Sequence, residues 1–253
     1  MPFDASPIGI FDSGLGGVSV LKTAVQHLPN EHFIYYGDNL HAPYGTKTPE
    51  KVLALSYQAV DFLLHRQAKA IVIACNTATA HAAQALRARY SLPIIGMEPA
   101  LKPAFSMRKQ GKILVLATPN TLHSKKYDLL HEQFGDHSIS LPCPGLMEYV
   151  EEMDLASPAL HAHLGALFAP YEKETIDVVV LGCTHYVFLK QAIAMHFPKT
   201  TQLIDGNFGT VQQLQRRLFS IDALAKSDQE GSVTCYSSAG QPFEEKIKAL
   251  FSI

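Results

Sequence analysis

Two cysteines share the same kind of neighbourhood. Cys75 ends the run Val72-Ile73-Ala74 and is followed by Asn76-Thr77, while Cys183 ends Val180-Leu181-Gly182 and is followed by Thr184-His185. A cysteine directly after a buried strand and ahead of a helical stretch lies near backbone N–H groups that no earlier turn has used, at the positive end of the helix dipole. Both features favour thiolate. Two such thiols could remove a proton from one face of a carbon and return one to the other, which is general acid–base work. His185 can exchange protons near neutrality beside the second of them. The plainer reading of either cysteine is a small apolar residue at a strand end, where cysteine is common. The duplication, with a hydroxyl or amide side chain adjacent each time, favours chemistry.

A second constellation is the segment Gly9-Ile10-Phe11-Asp12-Ser13-Gly14-Leu15-Gly16-Gly17, a strand entering a glycine-rich turn before a helix that starts near Val18. Such a turn can hold an anion. It departs from the dinucleotide fingerprint, because Ser19 stands where the third glycine belongs. Asp12, at the strand's end, either orients an ammonium or tunes a thiol, or else caps the helix. Tyr36-Gly37-Asp38-Asn39 and Pro43-Tyr44-Gly45-Thr46 make a polar, turn-rich stretch that reads equally as a ligand loop or as a pair of ordinary turns. None of Arg66, Arg87, Arg89, Arg108, Arg216 and Arg217 adjoins these motifs, so bound carboxylates would rest on N–H groups and hydroxyls.

The elements that must position these residues follow from the apolar runs Ile8 to Phe11, Phe33 to Tyr36, Ala70 to Ala74, Pro93 to Gly96, Ile113 to Ala117 and Val178 to Leu181. They alternate with amphipathic stretches such as Pro49 to His65, and they are apolar on both faces, the signature of a mostly parallel α/β sheet covered on both sides. Ligands then belong at the strands' carboxyl ends. The expected division is a first α/β lobe of residues 1–97 and 210–253, carrying Asp12 and Cys75, and a second of residues 98–209, carrying Cys183 and His185. The echo between the two cysteine segments suggests pseudo-symmetric lobes whose half-sites face each other across a cleft.

Composition sets the outer bounds. A chain of 253 residues with 47% hydrophobic and 17% charged residues can bury ordinary cores. A net charge of −2 with scattered Lys and Arg offers no basic stripe for a phosphate backbone, so no nucleic-acid partner is expected. No run is long enough to span a membrane, and the start MPFDASP lacks a basic region followed by an apolar one, so the expectation is a cytoplasmic protein without a membrane partner. Cys75, Cys143, Cys183 and Cys235 contain no CxxC pair, which favours free thiols over disulfides or structural zinc.

Together, Phe11 to Gly17, Tyr36-Gly37-Asp38, Pro43 to Thr46, Ala74-Cys75-Asn76-Thr77-Ala78 and Gly182-Cys183-Thr184-His185-Tyr186 resemble, in order and spacing, the motif series of the glutamate racemases in the aspartate/glutamate racemase family. The resemblance runs from about residue 8 to about residue 209. It implies an isomerase that uses neither cofactor nor metal and interconverts L-glutamate and D-glutamate with two cysteines. Cys75 would act on the D-enantiomer and Cys183 on the L-enantiomer, with Asp12 and His185 assisting and Glu151, or its neighbour Glu152, supporting the histidine; a surface helical glutamate is the alternative. It places Asp12, Ser13, Pro43, Tyr44, Gly45, Cys75, Asn76, Thr77, Thr118, Thr121, Thr184 and His185 around the substrate. It also implies a homodimer and a role in cell-wall peptidoglycan biogenesis and cell shape. Val187 departs from the usual proline, the stretch Pro142 to Met147 is unusual, and Cys143 and Cys235 match no catalytic motif and read as structural. Two other functions compete: a single-thiol catalyst, either decarboxylase-like or a Cys–His hydrolase on Cys183 and His185, and an amino-acid-binding module without turnover.

Overall fold

The computed structural model describes residues 5–226 and 230–253. Met1 to Asp4, part of the amino terminus read above, lie outside the described residues. In chain order the strands are β1 (Ile8–Asp12), β2 (His32–Gly37), β3 (Ala70–Ile73), β4 (Ile94–Gly96), β5 (Lys112–Ala117), β6 (Ser138–Pro142), β7 (Ile176–Leu181), β8 (Gln202–Asp205) and β9 (Ser232–Ser237). They form two sheets of parallel strands, ordered β4-β3-β1-β2-β9 and β6-β5-β7-β8. The chain divides into two compact units, Met1–Met97 with Asn207–Ile253, and Glu98–Gly206.

Within the first unit, β1 and β3 are buried along their whole length, as the apolar run of β3 and that of β1 up to Phe11 require, with Asp12 closing β1. Phe11, Ile71 and Ile73 pack with Leu55 and Leu63 of the helix Pro49–Leu64 and with Ala78 and Ala82 of the helix Asn76–Arg89. Ile8, Ile10 and Val72, also buried, point to the other side of the pleat. The helix Val18–His27 packs against the helices Asn207–Phe219 and Gln241–Ser252. Each fully buried Ile, Leu or Phe contributes roughly 1.5–3 kcal/mol, so this double-sided cover is what fixes the strand ends. In the second unit the smaller core joins Ile113, Val115, Val178 and Val180 to Leu101, Ala104 and Tyr127.

The two sheets repeat one winding. In the first, β1 is followed by β2 on one side and by β3 and β4 on the other; in the second, β5 is followed by β6 on one side and by β7 and β8 on the other. Loops therefore diverge between β1 and β3 and again between β5 and β7, the positions where open parallel sheets bind ligands. Cys75 follows β3 and Cys183 follows β7, the third strand of each set.

Three strands, β6, β8 and β9, have no counterpart among the apolar runs read from the sequence. They are the edge strands Ser138–Pro142, Gln202–Asp205 and Ser232–Ser237, and they mix polar with apolar residues because much of each is only half-buried or exposed. The carboxyl-terminal part consequently contributes a strand as well as helices, with β9 pairing β2 from His32↔Ser232 to Gly37↔Ser237.

Candidate active site

The cluster around Cys75 grows from three strand ends. β1 delivers Asp12 and Ser13, both buried, and the turn after them is held by the Gly14 N–H donating to Asp12 Oδ1 at 2.8 Å. This is a local side-chain turn rather than a helix cap, since Gly17 occupies the N-cap of Val18–His27. Tyr35 of β2 steadies the same turn by donating its hydroxyl to the Gly14 carbonyl at 2.6 Å. A Cβ on Gly17 would meet Asp12 Cβ at 2.5 Å and Ala74 Cβ at 3.0 Å, so only glycine lets the turn close over both strand ends. The Ala74 N–H donates to the Phe11 carbonyl at 2.8 Å, which ties the approach to Cys75 to β1.

Cys75 then caps the 14-residue helix Asn76–Arg89, its sulfur accepting from the Ala78 N–H at 3.4 Å. Its Sγ lies 3.6 Å from Ser13 Oγ, and Ser13 Oγ lies 3.5 Å from Asp12 Oδ1. Thiol, hydroxyl and carboxylate thus form one buried chain at a helix N-terminus. Asn76 and Thr77 are buried in the first helical turn, and Asn76 Oδ1 is a buried acceptor without a hydrogen-bond partner. Tyr44 shares a hydrophobic cluster with Cys75 and opens a 3-10 turn, Tyr44–Thr46, after Pro43. The N–H groups of Tyr44 and Gly45 precede that turn's own hydrogen-bond ladder.

The cluster around Cys183 has different supports. Gly182 donates its N–H to the Leu116 carbonyl at 2.7 Å, drawing the end of β7 against β5. Cys183 follows, but the helical stretch expected after it is a 3-10 turn, Thr184–Val187, to which the cysteine side chain gives no cap. The dipole argument made for both cysteines therefore applies to Cys75 alone. Cys183 is held instead by chemistry: its Sγ lies 3.7 Å from His185 Nδ1, and His185 Nε2 lies 2.8 Å from Glu151 Oε1. Burial pushes the His185 pKa down, but hydrogen bonds to Cys183 and Glu151 and their negative charge outweigh it and hold the ring well above the usual histidine value. Glu151, the last residue of the helix Leu146–Glu151, is the partner, and Glu152 is that helix's C-cap.

Tyr186, fully buried, donates its hydroxyl to the Cys143 carbonyl at 3.0 Å. All four cysteines are free thiols. Burial, and then the charge of Cys183, push the Cys143 thiol up to about 12, and burial pushes Cys235 to about 11. Thr118 follows β5 and caps the short helix Pro119–Leu122, its hydroxyl accepting from the Thr121 N–H at 3.3 Å and lying 3.0 Å from the Thr121 hydroxyl. Thr184 is buried. Of the sequence-derived residues, Asp12, Ser13, Tyr44, Asn76 and Thr77 lie with Cys75 in one unit, and His185, Glu151 and Thr184 lie with Cys183 in the other, where Thr118 and Thr121 follow the neighbouring strand β5. Tyr35 was missed as a support because its spacing matches any core tyrosine. No helix among the described residues is long and apolar enough to cross a membrane, and no group of three His, Cys, Asp or Glu among them could hold a metal ion.

Comparison with known proteins bears on this geometry. A family model described as Asp/Glu/Hydantoin racemase matches residues 8–214. A glutamate racemase of Clostridium novyi is 48% identical over 251 residues, covering 98% of this chain and 96% of that one. Among solved structures, Francisella tularensis glutamate racemase in complex with D-glutamate superposes with a TM-score of 0.83 at 28% identity, covering 98% of this chain and 94% of that one. Escherichia coli glutamate racemase in complex with L-glutamate and the activator UDP-MurNAc-ala superposes with a TM-score of 0.85 at 27% identity, covering 97% and 94%.

Proposed function

The chain belongs to the Asp/Glu/hydantoin racemase family, and from that premise we propose that it is a glutamate racemase working by proton transfer between Cys75 and Cys183 without a cofactor. The observation that carries the reading is the repeated winding of the two sheets, each ending its third strand in a buried cysteine with acid–base company. Inversion of a carbon needs a base on one face and an acid on the other, and duplicated thiols supply both.

In this account the Cys75 thiolate takes the α-proton of D-glutamate, forming S–H as the C–H bond breaks, and the electron pair spreads into the α-carboxylate. The Cys183 thiol gives its proton to the opposite face, leaving L-glutamate and a Cys183 thiolate. The reverse reaction starts from that thiolate. Asp12 and Ser13 adjust the proton on Cys75, and His185, held by Glu151, does so for Cys183. Asn76 Oδ1 suits the substrate ammonium, since a buried acceptor without a partner gains most from a charged donor. Backbone N–H groups at Tyr44 and Gly45 take the distal carboxylate, and the hydroxyls of Ser13, Thr77, Thr118, Thr121 and Thr184 complete the polar lining.

The biological reading is a cytoplasmic homodimer supplying D-glutamate for peptidoglycan. Circular dichroism of L-glutamate incubated with the protein tests the activity: the signal decays to zero if the reading holds, and a flat signal with binding intact would favour an amino-acid-binding module. One further reading has an observation behind it, because Cys183, His185 and Glu151 form a nucleophile–base–orienter series. A hydrolase of that kind would tolerate loss of Cys75; a racemase would not.

A further inference from the structure

Asp38 lies just beyond β2, is 3% exposed, and has both carboxylate oxygens engaged. Oδ2 accepts from the Tyr44 hydroxyl at 2.7 Å, and Oδ1 lies 2.9 Å from His41 Nδ1. Its backbone is equally committed: the Asp38 N–H donates to the Asp12 carbonyl at 3.0 Å, and its own carbonyl accepts from the His41 N–H at 3.0 Å. Beyond it, Asn39 Oδ1 accepts from the Ser237 hydroxyl at 2.7 Å, and the Leu40 N–H donates to Ser238 Oγ at 3.0 Å, so the end of β9 fixes the far side of the same turn.

The consequence for Tyr44 is geometric. Its ring is 1% exposed in the cluster that also holds Cys75, and its one polar atom is aimed at Asp38. Burial, and then the neighbouring carboxylate, raise the phenol well above the usual tyrosine range, so it stays a donor at every working pH. The backbone of the residue so anchored begins the turn whose N–H groups are read above as the receptor for the distal carboxylate. We propose that Asp38 is a positioning residue for substrate specificity: it fixes Tyr44, and through Tyr44 the Gly45 N–H, at the place where the side-chain carboxylate of glutamate is bound. The inference rests on the glutamate racemase reading, and Asp38 itself touches no reacting atom.

A double-mutant cycle with steady-state racemisation tests it. Asp38→Ala and Tyr44→Phe should each raise the KM for glutamate about tenfold, the scale of one lost charge-assisted hydrogen bond, with the larger part of the loss in KM rather than kcat. The double variant should be no worse than the poorer single one, because both changes break the same bond. Asp38→Asn keeps an acceptor for the phenol and an amide that can donate to His41, so it should restore KM to within about threefold of wild type. The loss should also depend on the distal carboxylate: the affinity for 2-aminobutyrate, which lacks it, should move little between wild type and Asp38→Ala. Additive losses in the cycle, a loss confined to kcat, or equal weakening of 2-aminobutyrate and glutamate would overturn the proposal. If Asp38→Ala does not fold, Asp38→Asn against Tyr44→Phe decides it, since equal KM values for those two would also overturn it. A wild-type protein that does not racemise glutamate sinks the activity reading instead, so the two failures are distinguishable.

Discussion

The segment around Cys75 and the segment around Cys183 occupy equivalent places in two sheets wound the same way, yet the two thiols keep different company. Cys75 uses backbone: it caps a 14-residue helix and accepts from Ala78 N–H, an effect worth about 1–2 kcal/mol in a buried setting. Cys183 has only a four-residue 3-10 turn behind it and lies instead beside His185, whose other ring nitrogen meets Glu151. One winding can therefore set a thiol against helix N–H groups in one sheet and against a histidine–glutamate pair in the other.

The largest expected effect is the loss of either thiol. Cys75→Ala and Cys183→Ala should each lower racemisation by roughly 10³-fold, the usual scale for a removed acid–base group, in a polarimetric or circular-dichroism assay. A variant of one cysteine that kept wild-type racemisation would reduce the pair to a single-thiol site.

The next effect should be one-sided. Glu151→Gln removes a charge that holds the proton on His185, so kcat should drop on the order of tenfold, about 1.4 kcal/mol of barrier. The alkaline limb of the kcat–pH profile should move to lower pH. The stability linkage has the same sign: because folding raises the His185 pKa, its contribution is complete below the unfolded value of roughly 6.5 and is lost as pH rises through the folded one. The Tm difference between wild type and Glu151→Gln should therefore be larger at pH 6 than at pH 9. An unmoved alkaline limb would detach Glu151 from the proton balance of Cys183.

How much of this asymmetry was legible in the sequence depends on where each residue takes its instructions. β1, β3, β5 and β7 are covered on both faces, so their apolar runs announce them, and the cysteines after them stand out with Asp12, Ser13 and the glycine-rich turn. The edge strands β6, β8 and β9 answer to solvent on one side and lack that signal. The turn after Cys183 is set by tertiary demands that no local pattern displays: His185 and Tyr186 are consecutive and buried, one bound to Glu151 and the other to the Cys143 carbonyl. The choice between Glu151 and Glu152 is likewise a matter of helix phase. Asp38 belonged to a recognised motif, but its bond to Tyr44 could not be read from spacing.

Smaller effects test the glycines that let each cysteine segment close on its neighbouring strand. Gly17→Ala would drive a methyl into Asp12 Cβ, and Gly182→Ala would bring one within 2.7 Å of the Leu116 carbonyl. Each should cost about 1–3 kcal/mol, read as a fall in Tm. A stability loss in only one of the two would show that the packing, like the hydrogen bonding, differs between the two cysteine segments. The smallest effect concerns the remaining thiols: with values of about 12 and about 11, Cys143 and Cys235 should stay unmodified by iodoacetamide at pH 7.5 in the folded protein, as peptide mass mapping would show. Their rapid alkylation would contradict the structural role given to them.

The central claim, that each thiol serves one face of the α-carbon, needs a measurement other than rates. Two enantiomers have equal free energy in water, so kcat/KM must be equal in both directions for every variant, and steady-state kinetics cannot assign faces. Exchange in deuterated water can. With Cys183→Ala, Cys75 can still remove and return a proton on its own face, so the α-position of D-glutamate should label faster than that of L-glutamate, and Cys75→Ala should show the reverse. A preference opposite in sense for both variants would overturn the assignment of faces, and racemase activity equal to wild type in both would contradict the two-thiol mechanism itself.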